Sequence, residues 1–117
     1  MPYNDVAFKK SMLTWDAVSK KAPAEVVEAT KKHAGGDPEA MKEVAVQSEH
    51  IKQMNEKLVD FLDGVVHAKD EKVRVDAAKK ALGNIHQYQS FVSSAHLPPE
   101  VLMKLKNALA ELAKVLG

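Results

Sequence analysis

The sequence predicts an all-α protein, an antiparallel up-and-down helical bundle of four layers with the first helix broken at Pro23. Three observations predict it. Within residues 37–67 the positions Met41, Val44, Ser48, Ile51, Asn55, Leu58, Leu62 and Val65 recur at alternating steps of three and four, which is the seam of one long amphipathic helix. Stop and start signals around Gly35, Asp70 and Pro98 divide the rest into further helical segments. Aromatic residues are 5% of the chain and alternating β-branched runs are nearly absent, which disfavours sheet. A helix of ~30 residues reaches about 45 Å at 1.5 Å per residue, so its neighbours must cover the seam along that length.

Asn4 is suited to cap a first helix that runs to about residue 21, where Lys20 and Lys21 meet the negative end of the helix dipole. Pro23 fits a helical first turn better than an interior, so a second, short helix is expected over residues 23–33. Gly35 then supplies a left-handed cap. Asp37-Pro38-Glu39 restarts the chain with a cap, a first-position proline and an acidic first turn. Laid end to end, the two N-terminal helices match the long helix in reach, as antiparallel packing requires.

In the long helix Ser48 and Asn55 interrupt the apolar seam one heptad apart, a placement that lowers stability but sets register if each finds a partner. Gly64 is read as lying within that helix, because Val65 continues the seam. Asp70 caps the next helix, which carries Ala78, Leu82, Ile85, Gln89, Val92 and His96 on one line, with Ala81, Tyr88 and Ala95 beside it. Gly83-Asn84 either divides this segment or lies within a continuous helix that a neighbour approaches closely. The continuous reading is preferred. Pro98-Pro99-Glu100 forces an extended approach and a clean helical start. The last helix, to Leu116, is the most regular, with a wide apolar stripe that includes Val101, Leu105, Leu109 and Leu112.

A chain of 117 residues with 45% hydrophobic content sustains one core, so residues 1–117 are expected to form a single domain. The net charge of +1 offers no field to steer a phosphate backbone, which disfavours nucleic acid as partner. With no cysteine, the chain has no disulfide, thiolate nucleophile or cysteine-ligated metal, and suits a reducing compartment. The first residues, Met1 to Val6, lack a basic segment followed by an apolar run, and no window approaches ~18 uncharged apolar residues. A soluble, cytoplasmic protein without membrane association is expected. The last helix is amphipathic enough for a lipid surface, but the other segments carry matching stripes, so mutual burial explains the pattern without lipid.

Catalytic chemistry finds little support. The Glu-x-x-His pattern of di-iron bundles is absent, no serine lies in a Gly-x-Ser-x-Gly turn, and Gly35-Gly36 lacks the Lys-Ser/Thr of a phosphate loop. No catalytic residue, metal ligand set or cofactor is therefore assigned, and the chain is not read as an enzyme. Asp63 and His67, at i, i+4, are the nearest approach to a ligand pair, and His96 is a further candidate, for haem opposite a methionine. A metal, haem or small apolar ligand held around His96, Asp63 and His67 is the alternative reading.

The first helix is more informative, since it carries apolar groups on nearly opposite sides: Val6, Leu13 and Ala17 on one, Phe8, Met12 and Trp15 on the other. Either the helix is wedged between neighbours and buries both, or the Phe8, Met12, Trp15 ridge meets a partner. The leading expectation is a non-catalytic protein-interaction module, an adaptor or regulator, that presents this ridge or the wide stripe of the last helix to a protein partner. That partner engages through a helix or is a second copy in a homo-oligomer.

Overall fold

The computed structural model describes residues 3–117; Met1 and Pro2, part of the stretch read for a leader, lie outside them. Four helices account for most of these residues: α1 (Asp5–Ala34), α2 (Pro38–Val66), α3 (Glu71–Ser94) and α4 (Pro99–Leu116). Turns of a few residues join them, so consecutive helices run antiparallel. α1 packs on α2 and α4, α3 packs on α2 and α4, and neither diagonal pair touches through its backbone. The result is a square rod of 51 × 19 × 19 Å, and among the described residues no helix is long and apolar enough to cross a membrane.

The helix starts are built as the sequence predicts. Asn4 accepts from the Ala7 N–H at 3.1 Å, Asp37 from Ala40 at 3.1 Å and Asp70 from Val73 at 2.9 Å, each satisfying an amide that has no intrahelical partner. Gly35, at φ 61°, ends α1 in the left-handed region. α2 continues through Gly64 and α3 through Gly83. The α2 seam is the inner wall: Val44, Ser48, Ile51, Leu58, Leu62 and Val65 are buried, and Met41 and Asn55 half-buried. α4 buries Val101, Leu105, Leu109 and Leu112, so its wide stripe faces the core and is no docking surface.

The expected break at Pro23 does not occur, for α1 is helical from Asp5 to Ala34 with Pro23 inside it. A proline there has no N–H to give the carbonyl four residues earlier, that of Ser19, and an interior proline costs about 3 kcal/mol. α2 supplies what the backbone lacks. Asn55 Nδ2 donates to Ser19 O at 2.9 Å, and Ser48 Oγ donates to Pro23 O at 3.1 Å. The two polar interruptions of the α2 seam are therefore the groups that hold α1 at its proline. Asn55 is engaged on its other side too, because Tyr88 of α3 donates to Asn55 Oδ1 at 2.6 Å. Burial pushes the Tyr88 phenol well above its ordinary range, which keeps it a neutral donor. Trp15 of α1 meets Tyr88 edge-on at 5.5 Å across the core diagonal.

α3 differs from expectation at its C-terminal end. It stops at Ser94, and His96 is exposed in the following turn with φ 51°, so it leaves the apolar line on which its spacing placed it. Gln47 of α2 donates to the Ala95 carbonyl, satisfying an acceptor where α3 ends.

Candidate docking face on helices α1 and α2

The structure reverses the two sides of α1. Phe8 and Trp15 are 0% and 2% exposed and belong to the core; only Met12 of the expected ridge reaches the surface, half-buried. The positions that face α2 and α4 are Phe8, Ser11, Trp15, Ser19, Ala22 and Val26, a run of threes and fours that continues across Pro23. Phe8 and Trp15 lie on this run and are drawn inward with it. The opposite group is left outside: Val6 is 77% and Leu13 73% exposed. α1 thus buries one apolar side and presents the other.

What Leu13 borders is a groove of about 510 Å³ between the first half of α1 and the last turns of α2. From α1 it is lined by Lys9, Met12, Leu13 and Asp16; from α2 by Val59, Leu62, Asp63 and Val66, with Trp15 also contributing. Each helix therefore offers residues at i, i+3, i+4 and i+7, one full heptad of a helical face. Val59 and Val66 are 41% and 40% exposed, and the lining surface is mainly apolar. Apolar side chains clustered on two adjacent helices differ from single exposed residues such as Met103, which are ordinary. The Trp15 indole N–H is buried without an acceptor among the described residues, a departure from the usual pairing of buried donors.

Charge frames the groove. Lys9 pairs with Asp5 at 2.9 Å and Asp16 with Lys20 at 3.0 Å, both exposed i, i+4 pairs along α1. Asp63 forms no ion pair among the described residues. Helical spacing alone singles out Val6 and Leu13 as one side of α1. It does not single out Val59 and Val66, although their seven-residue separation beside the seam is the available signal.

The structure does not assemble the alternative ligand set. Asp63 and His67 close α2, beside the start of α3, whereas His96 follows the end of α3; a 24-residue helix separates these levels by about 36 Å. All five histidines are exposed, and among the described residues no group of three or more His, Asp or Glu side chains is placed to hold a metal ion.

A second, more polar cleft of about 550 Å³ lies between α2 and α3, where Lys57, Lys80 and Gln87 surround Asn84. The Asn84 Oδ1 is buried without a donor among the described residues, and, being closed to solvent, it is not offered to a ligand. No protein-family model, curated protein or solved structure matches this chain.

Proposed function

We propose that the protein is a non-catalytic interaction module, an adaptor or regulatory bundle, that docks a helical protein surface in the α1–α2 groove. One observation carries the proposal: the α1–α2 groove is walled by Met12 and Leu13 of α1 and by the heptad-spaced Val59 and Val66 of α2, of which Leu13, Val59 and Val66 are exposed, so a helix laid lengthwise in it meets apolar side chains of both. A small apolar molecule fits less well, because small-molecule sites enclose most of their ligand and this groove is open along its length. The absence of cysteine accords with a cytoplasmic setting.

Site-specific photo-crosslinking in the source cell tests the proposal. A benzophenone side chain placed at Leu13 or Val59 is expected to form adducts whose cross-linked peptide maps to an amphipathic helix. The same probe at Met103, an isolated exposed residue of α4, is expected to form none. Equal labelling from all three positions, or none from Leu13 and Val59, would overturn it.

A further inference from the structure

An interface that a protein makes with its own copy must be complementary to itself, since a two-fold axis brings the same patch against the same patch. The α1–α2 face meets that condition in one orientation. Asn55 of α2 bonds Ser19 of α1, so those residues share a level along the bundle. Ten residues nearer the start of α1, Lys9 is level with residue 65 of α2, and by the same register Leu13 is level with residue 61. A two-fold axis parallel to the helices keeps every residue at its level while setting α1 of one copy against α2 of the other. Lys9 then faces the stretch that contains Asp63, twice over, and Leu13 faces the stretch that contains Val59.

We propose that the helical surface taken up by this groove is a second copy of the same chain, docked through its own α1–α2 face about an axis parallel to the bundle. The proposal rests on the docking role assigned to the groove above and names its occupant. Three observations favour it. Asp63 has no ion-pair partner among the described residues, whereas Lys9 is paired with Asp5 along one exposed helix face, and exposed pairs of that kind are weak, so exchanging Asp5 for Asp63 of the other copy costs Lys9 little. The alternative two-fold, across the helices, sets α1 on α1 and brings the Asp63 carboxylates of the two copies together near the centre of an apolar patch, which like-charge repulsion opposes. Finally, a net charge of +1 puts little repulsion between copies.

Sedimentation of the full chain over a wide concentration range, with charge-reversed variants, is the test. The parent chain is expected to form a dimer. Lys9→Glu and Asp63→Lys are each expected to weaken it by about tenfold or more, because each puts like charges opposite one another at two places. Mixing the two variants in equal amounts is expected to restore dimers. In the mixed pair the introduced glutamate of one copy meets the introduced lysine of the other, and the unaltered Asp63 meets the unaltered Lys9. Unchanged thermal unfolding of both variants, at a concentration where the chains are monomers, guards against a folding defect. A parent chain that stays monomeric, or variants whose mixture gains nothing over each alone, would overturn the proposal. Crosslinks from Leu13 and Val59 to a helix of another protein, with a monomeric parent, would overturn only the identity of the occupant; the absence of groove-specific crosslinks as well would overturn the docking role itself.

Discussion

The α1–α2 interface is two different structures at two levels. Around Pro23 it is bridged by hydrogen bonds from Ser48 and Asn55, the latter held in turn by Tyr88 of α3, beside a smaller cleft of about 350 Å³. Nearer the start of α1 it opens, and the outermost side chains are Leu13, Val59 and Val66. The distribution is the reverse of the simple expectation that polar groups lie outside and apolar ones within. The polar level ties α1 to α2 at fixed positions, and the apolar level leaves Leu13 largely, and Val59 and Val66 in part, outside the core.

The largest effect should distinguish Trp15 from Leu13, although both line the same groove. Trp15→Ala empties a core position and should destabilise the fold by about 3–5 kcal/mol in urea unfolding. Leu13→Ala should change stability by less than about 0.5 kcal/mol. Comparable losses would mean that the groove is core left open rather than a surface kept for contact.

The next effect belongs to the polar level. Asn55→Ala deprives both the Ser19 carbonyl and the Tyr88 hydroxyl of their partner and should cost about 2–3 kcal/mol. Pro23→Ala returns an N–H to Ser19, so in that background the loss should be smaller by about 1 kcal/mol, measured as a double-mutant cycle. Strict additivity would show that Asn55 does not compensate for the proline.

Tyr88 adds a dependence on pH. Burial raises its phenol above the ordinary value of 10.0, so the unfolded chain ionises before the folded one. The stability due to the neutral phenol is fully present below pH 10 and is lost as pH rises towards the folded value. The decline should approach about 1.4 kcal/mol per pH unit from this group, and Tyr88→Phe should lose that component. An identical alkaline profile in the two proteins would contradict a buried, neutral donor.

A smaller change, of opposite sign, is expected at Gly83. It is helical and a Cβ there would meet nothing within 4 Å, so Gly83→Ala should stabilise by about 0.5–1 kcal/mol. Destabilisation would mean that α3 needs its glycine for close approach to a neighbour.

Most of the frame is legible in the linear pattern, and the failures share a cause. The seam of α2, the caps at Asn4, Asp37 and Asp70 and the start after Pro98 rest on residues close together in sequence, where periodicity and capping chemistry act. Pro23 misleads because the donor that serves the carbonyl it orphans, Asn55, comes from another helix; as a polar seam position it is visible, but its acceptor is not. The sides of α1 are ambiguous because both carry apolar residues at helical spacing, and only the positions of α2 and α4 decide that Phe8 and Trp15 turn inward. His96 continues a helical line that the backbone leaves after Ser94. The groove is half legible: Leu13 stands out, while Val59 and Val66 are masked by the stronger seam beside them.

The most direct measurement is made on one variant, Leu13→Lys/Val59→Lys, by urea unfolding and by sedimentation on the same preparation. If the groove serves contact and not folding, stability should stay within about 0.5 kcal/mol of the parent while association through this face is lost. A loss of several kcal/mol in stability, or association that persists undiminished, would contradict the account.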